Sequence, residues 1–322
     1  MEERPVGVHD SDLLAALDAG WGIGSGAATY LPVGFGSFHW SVRDDGGAEW
    51  FVTVDDLGAD EAAREAAFAA LGRALATALA LRRNADLAFV VAPEPARAGA
   101  AVRRLDSRYA VSVYRMVEGD PGHWGPHRVE EIPELVGMLA ELHRATPVAG
   151  RLAGRTELAL PGRATLHAAL GTLDREWTGG PYAEPTRRLL AGRADHVERL
   201  LGEFDRLVDR VAGGGADWVV THGEPHPGNL IRTPAGLRLV DWETTLIAPP
   251  ERDLWMLARD AEDALDRYAA ATGRRADPAA IALYGLWWDL ADIVSFVEEL
   301  RRPHEDGADI AAAWRHLNGY LG

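Results

Sequence analysis

The sequence predicts an α+β chain in two lobes, a β-rich lobe over residues 1–118 and a helical lobe over residues 119–322. Short alternating apolar runs separated by glycine-containing turns fill the opening third. Apolar residues at helical spacing dominate the rest. A chain of 322 residues is long enough to bury two cores.

Taken in order, residues 28–54 alternate small and apolar side chains around Gly34-Phe35-Gly36 and Asp44-Asp45-Gly46-Gly47, as strands joined by tight turns do. The alanine-rich run over 59–83 reads as one long helix, and 88–92 and 109–117 read as further strands. Gly119-Asp120-Pro121-Gly122 marks the boundary between the lobes. Beyond it, helices are expected over 130–144, 185–211, 250–268, 277–302 and 309–321. Set among these helices, 217–221 and 237–241 are strand-like runs that flank the segment HGEPHPGNL.

Composition narrows the function classes. Apolar residues make up 47% and charged residues 25%, no apolar run reaches the length of a bilayer span, and MEERPVGVHD has no secretory pattern. A soluble, cytoplasmic chain without a membrane partner is expected. The absence of cysteine excludes disulfides and thiolate metal sites. A net charge of -16 repels phosphate backbones, so nucleic acid is not an expected partner. All 33 basic residues are arginine, because the chain has no lysine.

The chemistry concentrates between Thr221 and Glu243, THGEPHPGNLIRTPAGLRLVDWE. Phosphoryl transfer needs a carboxylate to orient the attacking hydroxyl, with an amide oxygen and a second carboxylate to hold magnesium against the nucleotide phosphates. Glu224, Asn229 and Asp241 can fill those roles. Gly223, Pro225, Pro227 and Gly228 prevent a helix between them, as an irregular ligand-facing loop requires. The same glycine and proline exclude a zincin-type helix. His226, between two prolines, is a packing or substrate-side residue.

This segment resembles the HGD-x-H-x-x-N loop and following I-D-W-E strand of the aminoglycoside phosphotransferase and choline kinase-like superfamily. The resemblance covers roughly residues 25–300 and is most specific between His222 and Asp253. It implies a two-lobed, protein-kinase-like fold and a small-molecule kinase that uses ATP or GTP as co-substrate and Mg2+. By the same resemblance Glu224 is the catalytic base, His222 supports the loop, Asn229 and Asp241 bind magnesium, Glu243 approaches metal or substrate, and Asp253 buttresses the loop. The implied acceptor is a small molecule, an antibiotic by preference. A metabolite kinase or a pseudokinase that binds without turnover is the rival reading.

Two positions depart from the family pattern. Glu224 stands where the family has aspartate, and Thr53 in WFVTV stands where it has the phosphate-contacting lysine. Arg43, or backbone groups with the metal alone, is the expected substitute. Gly34, Phe35, Gly36 and Ser37 form the candidate loop over the phosphates, and the backbone at Tyr114 and Met116 the candidate purine contact. On the helix expected over 277–302, one face is continuously apolar. The opposite face mixes Trp288, Asp289 and Asp292, and Phe296 and Glu299 with them, the expected acceptor wall.

Overall fold

The structure is a computed structural model that describes residues 3–322 apart from 25, 35 and 59, so Phe35 and the expected helix start at Ala59 lie outside the described residues. In chain order it comprises α1 (Asp10–Trp21), β1 (Ala27–Leu31), β2 (Ser37–Arg43), β3 (Glu49–Asp56), α2 (Glu61–Asn84), β4 (Arg103–Arg104), β5 (Tyr109–Arg115) and β6 (Asp120–Pro121). There follow α3 (Ile132–Arg144), α4 (Thr146–Ala149), β7 (Gly154–Arg155), α5 (Arg163–Leu170), α6 (Ala183–Val211), β8 (Val219–Thr221), β9 (Leu230–Thr233) and β10 (Gly236–Leu239). Last come β11 (Leu246–Ala248), α7 (Glu251–Asp260), α8 (Ala264–Thr272), α9 (Pro278–Arg301) and α10 (Ala308–Leu321). The mixed architecture, a β-sheet region followed by helices, is the expected one.

By Cα packing the chain divides into two units, Met1–Thr156 with Asp217–Ala276, and Glu157–Ala216 with Asp277–Gly322. The expected lobe boundary at Gly119 falls within the first of these. There Asp120 and Pro121 form β6, paired with β9.

In the first unit an antiparallel sheet runs β1-β2-β3-β5-β4. Strand alternation decides its two faces. Phe38, Trp40, Val42, Trp50, Val52, Val54, Tyr109, Val111 and Val113 form one core with Leu13 and Leu17 of α1. His39, Phe51, Thr53, Asp55, Ser112 and Tyr114 alternate with them and so belong to the other face. Helix α2 begins at Glu61, two residues later than the sequence suggests, where its N-cap Asp60 accepts the N–H of Ala63 at 2.8 Å.

Three expectations are corrected. Residues 88–92 form no strand: Val90 makes an isolated bridge to Leu239, its neighbours bonding the backbone of that residue. The single helix expected over 250–268 is two, α7 and α8, because Ala261 is extended. Helix α9 is long and apolar enough to cross a bilayer by composition, contrary to the expectation that no run is. In the second unit it packs instead along α5, α6 and α10, with buried residues from Leu283 to Leu300.

Candidate active site

The segment from β8 to β11 folds as an irregular loop and hairpin whose polar groups are fixed by buried partners. Gly223 has φ of 104°, and a Cβ there would lie 2.3 Å from the guanidinium of Arg252, so only glycine fits the turn. Asp253, 1% exposed on the first turn of α7, accepts the N–H groups of His222 at 2.9 Å and Gly223 at 2.6 Å. The ring of His143 lies 3.1 Å from the same carboxylate. Burial pushes the Asp253 carboxyl up, but His143, His222 and Arg252 outweigh it and hold it below the ordinary range.

His222 is fully buried. Its Nε2 lies 2.7 Å from the Val240 carbonyl and donates to it, while Nδ1 accepts the N–H of Glu224 at 3.1 Å. That pair of partners fixes the neutral tautomer. Burial first, and Arg252 in lesser part, bring its pKa down to about 4. His222 therefore splints the two ends of the motif rather than moving a proton.

Asn229, buried after Pro227, donates from its side-chain amide to the Glu224 carbonyl at 2.9 Å. Its own carbonyl accepts the N–H of Val240 at 3.0 Å, which ties the loop to the residue before Asp241. Asp241 has φ of 62°, a left-handed conformation in a residue that pays for it in strain. The residue as a whole is exposed, yet burial around its carboxyl raises the pKa. Glu243 is pushed well up by burial and then by the charges of Asp241, Glu224 and Asp55. Asp55, at the end of β3, is raised to about 6 by burial and, less strongly, by Asp241. Glu243 thus feels the charges of Asp241, Glu224 and Asp55, the last a carboxylate that the sequence reading missed.

These groups fit a divalent cation. The Asn229 amide nitrogen is spent on Glu224, leaving the oxygen end as the donor, and the two neighbouring carboxyls are both raised, so that a cation would favour their ionised forms. Among the described residues no group of three or more His, Cys, Asp and Glu can hold a metal unaided. An ion here would rely on Asn229 and on phosphate oxygens as well.

On the sheet, Gly34 and Gly36 both have left-handed φ, 72° and 93°. The hydroxyl of Ser37 donates to Asp55 at 2.7 Å. Thr53 lies with its hydroxyl 3.3 Å from Nδ1 of His39, whose ring stacks on Phe51 and whose pKa burial lowers to about 4. Neither position supplies a cation. Arg43 does not supply one to the loop either: it pairs with Glu49 at the opposite end of β2 from Ser37, about 20 Å along the strand. Tyr114 faces Phe51 in the register, and its buried hydroxyl is pushed up, with Glu243, Asp55 and Asp241 adding to the effect. The Met116 N–H is bonded to the Glu49 carbonyl at 3.2 Å.

His226 meets the edge of Trp124, a 64% exposed ring, at 4.7 Å between centroids. Trp288, Asp289 and Asp292 lie on α9 in the second unit. Asp292 accepts the hydroxyl of Tyr320 at 2.6 Å, and Phe296 stacks on His316 at 5.6 Å, so α10 covers much of the face expected to be an acceptor wall. Trp288 is half-buried and Asp289 exposed. His127 also went unnoticed in the sequence. It stands outside every motif, and its ring reaches Asp260 at 2.7 Å and the Pro225 carbonyl at 2.9 Å.

A profile described as the phosphotransferase enzyme family matches residues 29–284. The chain is 32% identical over 243 residues to Protein StrN of Streptomyces griseus, covering 72% of each sequence. Among solved structures, it is similar to spectinomycin phosphotransferase bound to ADP and spectinomycin, with TM-score 0.76 at 13% identity over 97% of this chain and 94% of that one. A microcompartment-associated aminopropanol kinase matches with TM-score 0.60 at 16% identity over 97% of this chain and 95% of that one. At these identities the two structures speak to the fold, which is that of kinase-like phosphotransferases.

Proposed function

Because the chain belongs to the phosphotransferase enzyme family, whose members act on hydroxyl groups, we propose that it transfers the γ-phosphoryl group of ATP or GTP to a hydroxyl of an antibiotic-like small molecule. The observation that carries this reading is the buried scaffold around Glu224: Asp253, His222 and Asn229 fix the backbone on both sides of a half-buried carboxylate beside Asp241 and Glu243. Such preorganisation is what a transfer reaction with little covalent chemistry of its own demands.

In this reading Glu224 orients the acceptor hydroxyl and takes its proton. Asn229 and Asp241 hold magnesium, with Glu243 behind them, and the ion supplies neutralisation of the phosphate charge. That role is larger here than where a lysine helps, since Thr53 offers a hydroxyl only. The glycine loop at Gly34 and Gly36 contributes backbone amides, and the strand at Tyr114 and Met116 borders the base. Trp288 and Asp289 contact the acceptor. Spectinomycin and aminopropanol, named for the similar structures, set the two poles of an acceptor panel: antibiotics and amino alcohols. Magnesium-dependent transfer of labelled phosphate from ATP or GTP to one antibiotic of that panel is the expected result. Transfer confined to amino alcohols would reassign the acceptor class, and no transfer from either nucleotide would refute the reading.

A further inference from the structure

His127 is locked between two hydrogen-bond acceptors. One oxygen of Asp260 lies 2.7 Å from Nδ1 and accepts the residue's own backbone N–H at 2.9 Å; the Pro225 carbonyl lies 2.9 Å from Nε2. A carbonyl oxygen can only accept. An ionised carboxylate can only accept too, and Asp260 is ionised: burial pushes it up, but the amide and ring of His127 and the nearby Arg259 outweigh that and hold it below the ordinary range. Both ring nitrogens therefore face acceptors, and the side chain is only 1% exposed.

Arg259 reaches the second oxygen of Asp260 at 3.4 Å. His226 is kept neutral, lowered to about 4 by burial and then by His222 and His127. His222 is neutral as described.

We propose that His127 is a positioning residue for phosphoryl transfer, its imidazolium tying the Pro225 carbonyl to the end of α7 and so setting where the adjacent Glu224 carboxylate stands. Proline has no N–H, so the carbonyl is the only polar backbone handle of residue 225. At Glu224 itself, His222 already holds the N–H and Asn229 the carbonyl. The segment that carries His127 lies directly against the loop: the Gly122 N–H bonds the Leu230 carbonyl at 2.8 Å, and a Cβ on Gly122 would lie 1.9 Å from the Pro227 carbonyl oxygen. The inference rests on the reading of Glu224 as the base.

The test uses the full chain, with ATP or GTP and magnesium and with water as the acceptor, alongside histidine-selective 15N spectra assigned by difference with His127→Gln. Both His127 nitrogens should carry protons near neutral pH in the wild type. Asp260→Asn should remove the second proton without unfolding the chain. Both variants should lower kcat by about 10- to 100-fold with the nucleotide KM changed less than about twofold, the signature of a displaced carboxylate. A neutral ring in the wild type, or wild-type kcat in Asp260→Asn, overturns the proposal. Should His127→Gln fail to fold, Asp260→Asn and the wild-type spectrum still decide it. Glu224→Gln run in parallel separates the two readings: if it keeps full turnover the base assignment falls, whereas a dead Glu224→Gln beside fully active His127 and Asp260 variants sinks the positioning role alone.

Discussion

Asp253 accepts the N–H of Gly223 at 2.6 Å, joining the first turn of α7 to the one residue of the motif that must be glycine. Its other oxygen takes the N–H of His222 and faces the His143 ring. Asparagine at 253 would turn an N–H donor toward one of those donors. Asp253→Asn should therefore cost about 3–5 kcal/mol of folding stability, as breaking a buried charged network does. Urea unfolding measures it, and a loss under about 1 kcal/mol would show that the network is not what holds the turn.

Asp241 presents the opposite balance, because its carboxyl and that of Glu243 are both raised and its backbone is strained. A group whose folded pKa is raised contributes stability that is lost as pH rises through that pKa. Asparagine tolerates the left-handed conformation and removes the charge. Asp241→Asn should abolish turnover yet stabilise the metal-free protein at pH 8, the gain shrinking toward pH 4. Thermal melts across that range check the sign.

The buried rings of His222 and His39 predict acid sensitivity. Both are lowered to about 4 by burial, so between pH 6.5 and 4 the unfolded chain binds protons that the folded chain refuses. Stability should fall as pH falls through that window, by about 2 kcal/mol for each ring between pH 6.5 and 5. His39→Phe should flatten the dependence by one ring's share. An identical slope in the variant would show that His39 is protonated in the fold.

Glu224 should be intolerant in both directions. Glu224→Gln is expected to reduce kcat by on the order of a thousandfold with nucleotide affinity retained, since the lost group acts on the acceptor hydroxyl. Glu224→Asp shortens the reach by a methylene while Arg252 and Asp253 prevent the turn from moving, so it should lose about 10- to 100-fold. Full activity in Glu224→Asp would mean that the loop adjusts after all.

On α9 the carboxylates should separate by role. Trp288→Ala and Asp289→Asn are expected to raise the KM of the acceptor found in the panel by about tenfold with the nucleotide KM unchanged. Asp292→Asn and Tyr320→Phe should instead each cost about 1 kcal/mol of stability, the loss of one part-buried hydrogen bond. Equal kinetic effects at all three α9 positions would return Asp292 to the acceptor.

What could be read from the sequence was local. The motif residues Glu224, Asn229 and Asp241 are close in sequence and bounded by glycine and proline, so their loop was legible from spacing alone. Helix α9 was legible to within a residue at each end because Asp277 caps it and Pro278 opens it. What escaped depended on distant pairings. Asp292 and Phe296 looked unexplained by core burial only because α10, which covers them, follows after another turn. Asp55 and Arg43 required the register of β2 on β3 to be placed. His127 required two partners remote in sequence, Pro225 and Asp260, that no periodicity announces.

The interleaving of the two units has a consequence for the birth of the chain on the ribosome. Each unit is closed by a segment made long after its first: β11 pairs with β7 and β8 after the whole of α6 has been synthesised, and α6 waits for α9. Neither can finish from a contiguous stretch, so nascent α6, with its apolar stripe from Leu190 to Val211, emerges before the helix that covers it. Chains halted near Ala276 should hold the complete first unit and half of the second, and should be the length most dependent on chaperones.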